Sequence, residues 1–338
     1  MSSAPSASEI WRDARWLVQA VDPNAGLARV IEMSPAEYRE ASFLDDRMLQ
    51  QPRNAHLLGW TDVMAAMPRN ARTDARWIFH IGHVGSTLVA RLLGELDGVL
   101  AVREPRALRD LAQFPAEART PFVEPLQRLY SRTFAPDEAA LVKTTSFVSE
   151  IAAELVPVGQ RALFMYAKPQ AYIEGILAGE NSRKELQMLA QWRGQRMQQR
   201  VQVLDAARES EAHLAAAAWA CEATALVAAE GAMPPGSVEW ADFDGMLDSM
   251  SAHLKRVAAF FGWDAHEERI AEIATGPLMR RYSKALEFDY SPELRRELLG
   301  EARRDHGENI RSALGMLART AQNSPLLARA LDRAHSGT

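Results

Sequence analysis

The sequence has little of the chemistry on which several protein classes depend. Its 338 residues include one cysteine, Cys221, which excludes an internal disulfide and favours a reducing compartment such as the cytoplasm. The net charge is -5, so no overall basic field points to nucleic acid. No apolar run in the sequence approaches the roughly 20 residues of a membrane span. We therefore expect a cytoplasmic protein that binds neither nucleic acid nor a membrane, and its oligomeric state stays open.

Signals for secretion and for metal binding are also missing. The stretch MSSAPSASEIWRDARW has no basic start followed by an apolar core, so we expect no secretory signal. His266-Glu267-Glu268 lacks the second histidine of a zinc motif, so no metal is expected. The remaining composition, 47% hydrophobic and 25% charged, is ordinary for a globular protein. The richness in alanine and arginine suggests a bacterial genome of high GC content.

Five short apolar runs in the central part of the chain predict strands, and helical patterns separate them. The runs cover residues 76–79, 99–102, 139–142, 162–166 and 237–240. Strands that alternate with helices predict an α/β fold, with a parallel sheet and helices on both faces. Helical spacing also predicts helices over residues 9–21 and 58–67.

These patterns divide the chain into three parts. Residues 1–75 are predicted to be an N-terminal helical segment packed on the core. Residues 76–263 are predicted to form the α/β core, and residues 264–338 a C-terminal helical extension. The length fits one large domain or two medium ones.

The stretch FHIGHVGSTLVARLL, residues 79–93, predicts a strand, a tight loop and a helix. Gly82 and Gly85 allow a close backbone approach, and Ser86 and Thr87 add hydroxyl donors. A loop that leads into a helix N-terminus offers unpaired N–H groups and the positive end of the helix dipole. The stretch therefore predicts an anion cradle, with a plain strand–helix turn as the alternative.

Three further strand ends carry polar groups: Arg103-Glu104, Lys143-Thr144 and Lys168. Ligands of open parallel sheets bind at the carboxyl ends of the strands, so these groups are expected to converge on the loop. Glu104 is the one carboxylate among them and is a candidate general base. The alternatives for Glu104 are a salt bridge to Arg103 and a charge at a helix N-terminus.

A nucleotide kinase-like enzyme is a weaker possibility. The Walker A pattern places four residues between its glycines and a lysine after the second. Gly82 and Gly85 are too close together, and Ser86 stands where that lysine belongs. No apolar strand ends in an aspartate that would hold Mg²⁺.

The order of the motifs resembles the sulfotransferase family, in a divergent bacterial form. GHVGSTLVARLL resembles the family's 5′-phosphosulfate loop, Pro-(Lys/Arg)-Ser-Gly-Thr-Thr followed by an apolar helix. VREP at 102–105 resembles the Arg-Glu-Pro turn of bacterial members, and LVKTT at 141–145 resembles a Lys-Thr-Pro segment. VEWADF at 238–243, followed by FFGW at 260–263, resembles the family's late strand and Phe-Leu-Gly helix. The resemblance covers roughly residues 76–263.

The resemblance implies a P-loop-type α/β fold and PAPS as the sulfuryl donor, with PAP as the product. It also implies a small-molecule acceptor that carries a hydroxyl or an amine. His83 takes the place of the loop Lys/Arg, Glu104 that of the base, and Lys143 is expected to stabilise charge in the transition state. The residues expected to bind the cofactor are Gly82, His83, Val84, Gly85, Ser86, Thr87, Lys168 and Arg281, the last from the basic stretch RRYSK at 280–284.

Two positions depart from the family pattern. The 3′-phosphate motif has Arg-Asp-Pro and a serine six residues after the proline. Here Ala167 stands at the arginine position and Gly175 at the serine position, while Lys168 offers a substitute charge. These departures motivate the alternative of a degenerate sulfotransferase-fold binding or accessory protein without PAPS chemistry.

Four arginines follow the motif region at 183, 193, 196 and 200. Their spacing in a helical stretch is typical of a solvated helix face. The alternative is a lid that grips an acidic ligand.

Overall fold

The computed structural model describes residues 4–50, 53–201, 210–281 and 291–336. In these ranges eight strands form two sheets. The strands are β1 Trp16–Asp22, β2 Leu27–Glu32, β3 Ala55–Gly59, β4 Arg76–His80, β5 Val99–Arg103, β6 Ala139–Lys143, β7 Ala162–Tyr166 and β8 Val238–Asp242.

The helices of these ranges surround the sheets. They are α1 Ala7–Arg12, α2 Pro35–Glu40, α3 Trp60–Ala65, α4 Ser86–Leu93, α5 Arg106–Ala112, α6 Ala116–Leu129, α7 Ala152–Leu155, α8 Pro169–Leu177, α9 Glu180–Gln198, α10 Glu211–Ala232, α11 Phe243–Asp248, α12 Met250–Phe261, α13 Glu267–Thr275, α14 Pro292–Ala321 and α15 Pro325–Ser336. Short 3₁₀ helices occupy Asp46–Gln50, Ser146–Ile151 and Pro277–Arg280.

The larger sheet has the strand order β5-β6-β4-β7-β8, and every pair in it is parallel. All five residues of β7 are buried, as expected for a strand covered on both faces. The five strands predicted from the apolar runs are all present. The predicted α/β class is therefore confirmed.

Helices cover both faces of this sheet. From β4 the chain crosses the sheet in one direction to β5, and from β6 it crosses in the other direction to β7. Right-handed crossovers place the connecting helices of opposite directions on opposite faces. Helix α4, which follows β4, packs against β5 and α12, whereas α10 packs against β4 and α8.

Helix α10 is the one described helix long and apolar enough to cross a membrane. The sequence analysis found no apolar run of that length, because charged residues such as Glu222 interrupt this helix. Of its most apolar window, 83% is buried inside the protein, and Glu222 itself is fully buried. That burial is typical of a core helix.

The N-terminal part differs from the predicted pair of helices. The helix predicted over residues 9–21 ends at Arg12, and Trp16–Asp22 is β1 of an antiparallel sheet with the order β1-β2-β3. The apolar residues of WLVQAVD satisfy both helical and strand spacing, and antiparallel pairing with Leu27–Glu32 selects the strand. The helix predicted over 58–67 is shorter, Trp60–Ala65, and follows β3.

The C-terminal helices fold back on the core. Helix α14 contacts α8 and α10, and α15 contacts α10. This packing brings the first turns of α14 to the cavity at the carboxyl ends of the strands.

Candidate functional site

A cavity of about 680 Å³ opens at the carboxyl ends of β4, β5 and β6. Its volume lies within the range of small-molecule sites, roughly 300–1,000 Å³. The wall contains the loop between β4 and α4, and also Glu104 and Lys143 at the ends of β5 and β6. Three of the four polar strand ends therefore converge as predicted. Lys168, at the fourth end, is exposed at the N-cap of α8 and is not among the wall residues.

The loop after β4 has the backbone of an anion cradle. Gly82, His83 and Gly85 all have positive φ angles, of 84°, 53° and 61°. Helix α4 begins at Ser86, and no side chain in the described ranges caps its N-terminus. The N–H groups of its first turn are consequently available to a ligand.

His80 fixes this loop to the neighbouring strand. The backbone N–H of Gly82 donates to His80 Nδ1 at 2.9 Å, and His80 Nε2 lies 2.9 Å from the carbonyl oxygen of Thr144. The ring is buried between these two groups. His80 thus holds the cradle against the end of β6.

Only glycine fits at position 85. A Cβ added there would lie 2.0 Å from Cε2 of Phe243, the first residue of α11. Phe243 is itself 2% exposed, so its ring has no room to withdraw. Phe243 therefore packs directly against the loop, a contact that the sequence analysis did not identify.

His83 lies between the loop and helix α9. Its Nδ1 is 3.3 Å from Ser182 Oγ, and its Nε2 is 3.5 Å from Glu185 Oε1. All three side chains belong to the cavity wall. Helix α9 therefore covers the loop and orients the residue predicted to replace the family's lysine or arginine.

Glu104 and Lys143 form a buried ion pair in the cavity wall. Their side chains are 9% and 1% exposed, and Lys143 Nζ donates to Glu104 Oε1. Lys143 Nζ also lies 3.4 Å from Thr87 Oγ1, in the first turn of α4. Arg47 Nη2 approaches the other carboxylate oxygen at 3.5 Å. The pair thus connects the anion cradle to Arg47, a cavity-wall residue from the N-terminal part of the chain.

The alternative partner for Glu104, Arg103, is engaged elsewhere. Its guanidinium donates to the carbonyl oxygens of Ala41 at 2.8 Å and Arg39 at 3.0 Å. Burial lowers the pKa of Arg103 to about 9. Arg103 therefore anchors the segment after α2 to the sheet, and a salt bridge between Arg103 and Glu104 is not formed.

Thr145 contributes a buried hydroxyl to the cavity wall. Thr145 Oγ1 is buried and has no hydrogen-bond partner among the described residues, although Thr145 lines the cavity. The neighbouring Thr144 donates to the carbonyl of Ile78 at 3.2 Å and is structural. Buried polar groups are nearly always hydrogen-bonded, so Thr145 is a ligand-contact candidate.

The far end of the cavity carries two arginines. Arg281 lines the wall, whereas residues 282–284 of the predicted basic stretch lie outside the described residues. Arg295, from the first turn of α14, is a wall residue that sequence analysis did not identify. It lies 5.0 Å from the ring of Phe243, and its Nε donates to Asp244 Oδ1 at 2.8 Å.

Arg295 also approaches the glycine that departs from the family pattern. A Cβ added to Gly175 would lie 3.9 Å from Arg295 Nη1. The other departure, Ala167, is fully buried, and its carbonyl accepts a hydrogen bond from Trp219 Nε1 at 2.9 Å. A guanidinium therefore stands beside the position where the family pattern has serine.

Of the four predicted arginines, Arg183 is partly exposed and lies 3.4 Å from Glu211, whereas Arg193 and Arg196 of α9 and Arg200 just beyond it do not form a solvated face. Arg193 is 4% exposed, and its Nε donates to the fully buried Glu222 at 3.1 Å. Arg196 pairs with Glu222 and Glu150, and Arg200 also pairs with Glu150. Glu150 lies in the 3₁₀ helix Ser146–Ile151 and Glu222 in α10, so these ion pairs anchor α9 and the residues after it to the core. The alternative of a lid also finds no support, because none of the four arginines lines the cavity.

The chain is distant from known proteins. No family model matches it, and no curated protein matches it. A search of solved structures finds a sulfotransferase domain from the curacin biosynthetic pathway, at 13% identity and a TM-score of 0.43, over 65% of this chain and 84% of that one. A mouse sulfotransferase, SULT7A1 complexed with PAP, has 11% identity and a TM-score of 0.40, over 78% and 89%. A sulfotransferase domain from the Synechococcus PCC 7002 olefin synthase has 13% identity and a TM-score of 0.38, over 70% and 90%.

Proposed function

We propose that the protein transfers a sulfuryl group from PAPS to a hydroxyl or amine of a small-molecule acceptor. The observation that carries the proposal is the juxtaposition of an uncapped helix N-terminus with the buried Lys143–Glu104 pair in one cavity. A helix N-terminus is suited to bind an anion, and the ion pair supplies both a cation and a carboxylate at the edge of that anion site.

The cavity fits the two anionic ends of PAPS. The loop offers the N–H groups from Val84 to Thr87, together with the hydroxyls of Ser86 and Thr87, to the 5′-phosphosulfate. His83 adds a side chain whose orientation is fixed by α9. Within the described ranges, no group of three His, Cys, Asp or Glu residues is arranged to hold a metal ion, and the proposal needs none.

Arg295 and Arg281 are proposed to bind the 3′-phosphate in place of the missing motif residues. Both line the cavity, and Arg295 lies beside Gly175, where the absence of a side chain leaves space for a ligand group. Asp244 accepts from Arg295 Nε at 2.8 Å and from Nη2 at 3.4 Å, which orients the guanidinium with Nη1 beside Gly175. Lys168, predicted for this role, is exposed and outside the wall.

The residues at the other side of the loop suit the transfer step. PAPS supplies a sulfuryl group that moves to the acceptor oxygen or nitrogen as its bond to the 5′-phosphate breaks. Glu104 is proposed to accept the proton of the acceptor group. Lys143 and the Thr145 hydroxyl are proposed to stabilise negative charge beside the loop. The burial of Lys143 strengthens its electrostatic effect relative to water.

The second candidate is an accessory binding protein that has lost PAPS chemistry. Ala167 and Gly175 favour it, because neither supplies a group for the 3′-phosphate. The two candidates differ in whether the protein turns over PAPS.

A transfer assay tests the proposal. The protein is incubated with radiolabelled PAPS and a panel of phenols, alcohols and amines, with the Lys143→Met variant as the inactive control. Label in at least one acceptor, absent in the control, is the expected result. PAP binding without transfer to any acceptor would favour the accessory protein.

Arg295→Gln should selectively weaken recognition of the 3′-phosphate. Loss of charge-assisted hydrogen bonds predicts a fall in PAP affinity of about ten- to a hundredfold, whereas AMP, which lacks that phosphate, should be nearly unaffected. Calorimetric titration with both nucleotides measures the ratio. The matched control is Arg296→Gln, because Arg296 is exposed on the next position of α14. An equal loss for PAP and AMP would contradict the assignment.

A further inference from the structure

A chain of side-chain contacts runs along the cavity wall from Arg295 to Arg109. Arg295 lies over Phe243, and Phe243 presses on Gly85 of the loop. From the loop, Thr87 leads to Lys143, and Lys143 to Glu104. Beyond Glu104 the wall continues through Arg47 and Asp45 to Asp46 and Arg109, all of which line the cavity. If the nucleotide lies toward Arg295, the acceptor lies between Glu104 and Arg109.

Arg109 is the least engaged cation at the acceptor end. Its side chain is 30% exposed, and its one ion-pair contact among the described residues is with Asp46 Oδ2 at 3.4 Å. A guanidinium has five N–H donors in a planar fork, so most of them stay available. By contrast, Arg47 makes a close pair with Asp45, at 2.6 Å.

Asp46 is neutralised without Arg109. Arg29 Nη2 lies 2.7 Å from Asp46 Oδ1, and Arg106 donates to Oδ2. Burial opposes ionisation of Asp46, but the hydrogen bonds and charges of Arg106 and Arg29 outweigh it and lower the pKa of Asp46. Three arginines thus face the Asp46 carboxylate, and the two closer ones, Arg29 and Arg106, are sufficient to neutralise it.

The charges of the described residues at this end also leave Arg109 without a carboxylate of its own. The cations at this end are Arg29, Arg47, Arg106, Arg109 and Lys143, and the carboxylates are Asp45, Asp46, Glu104 and Asp110. Asp110 is engaged by Arg106 Nε at 3.0 Å and by the backbone N–H of Val21 at 3.2 Å. One positive charge remains uncompensated, and it lies on the cavity wall. A cationic acceptor would add to that excess, whereas an anionic one would neutralise it.

We infer that the acceptor carries a carboxylate or another oxyanion, which Arg109 binds while the acceptor hydroxyl faces Glu104. This inference rests on the proposed function and names its substrate class: a hydroxylated organic acid. The planar guanidinium matches a carboxylate bidentately. Phe43, which Arg47 covers at 3.3 Å from the ring centroid, supplies the apolar wall for the body of the acceptor.

Three phenols of nearly equal size test the inference: 4-hydroxyphenylacetate, its methyl ester and tyramine. Each is assayed with PAPS, and each is titrated into the PAP-loaded protein. The acid should exceed the ester and the amine in kcat/KM by at least about tenfold. In Arg109→Gln the ratio of acid to ester should fall to about one, through a higher KM for the acid, and in Arg296→Gln it should be retained.

Several outcomes would overturn the inference. They are a preference of the wild type for the ester or the amine, an unchanged ratio in Arg109→Gln, and a failure of the acid to bind the PAP-loaded protein. In all three the titration with PAP alone still succeeds. Absence of PAP binding would instead remove the proposed function, and this inference with it.

Discussion

Glu104→Gln is expected to lower kcat by about 10²–10⁴-fold while PAP affinity changes little. General-base catalysis contributes an acceleration of that size, and an amide cannot accept the acceptor's proton. Glu104 lies on the acceptor side of the loop and is connected to α4 through Lys143 and Thr87, so the anion cradle should persist. Steady-state kinetics and calorimetric titration with PAP measure the two quantities separately.

The variant also removes the counter-ion of a buried lysine. Breaking a buried ion pair typically costs about 3–5 kcal/mol of stability, so the melting temperature must be recorded beside the kinetics. Combining Glu104→Gln with Lys143→Met replaces the pair by neutral groups and should recover much of the stability, whereas activity stays lost. A parallel loss of turnover and PAP binding in a folded Glu104→Gln protein would contradict the role as base.

Gly85→Ala is expected to weaken PAP binding by more than about a hundredfold. The new methyl group would meet the ring of Phe243 at 2.0 Å, and alanine at a φ of 61° costs about 1–2 kcal/mol more than glycine. Because Phe243 is buried, the loop must move, and the N–H groups of α4 then lose their common direction. Calorimetric titration with PAP measures the effect.

Gly194→Ala is the matched control. Gly194 lies inside helix α9, and no atom lies within 4 Å of an added Cβ, so alanine should raise helix stability by up to about 1 kcal/mol and leave PAP binding intact. Normal PAP affinity in Gly85→Ala would show that the loop is not the cradle.

The central sheet was predictable because its apolar runs are short, bounded by turn residues and separated by helical patterns. The loop was predictable because glycines and hydroxyl residues follow the first run directly. The antiparallel sheet was not, because Trp16–Asp22 has apolar residues at both spacings and only pairing with β2 selects the strand. Local sequence carries no information about that partner.

The missed site residues come from distant parts of the chain. Phe243 contacts Gly85, and Arg295 contacts Phe243, although some 160–210 positions separate these two residues from the glycine. Phe243 ends the VEWADF stretch, which gives no sign of this contact, and Arg295 stands in no informative motif. Arg109 follows the recognised turn at Glu104 by one helical turn, yet its engagement depends on Asp46. The arginines of α9 were misjudged because their carboxylate partners, above all Glu222, lie in an otherwise apolar helix. Each of these assignments needs tertiary contacts.

Calorimetric titration of the purified protein with PAP, with ATP–Mg²⁺ as the control, tests the central claim most directly. We expect saturable binding of PAP at one site and at least about tenfold weaker binding of ATP–Mg²⁺. Tighter binding of ATP–Mg²⁺ would favour a kinase-like enzyme instead. Binding of neither nucleotide would rule out the proposed function, because the loop, Arg281 and Arg295 would then hold no nucleotide.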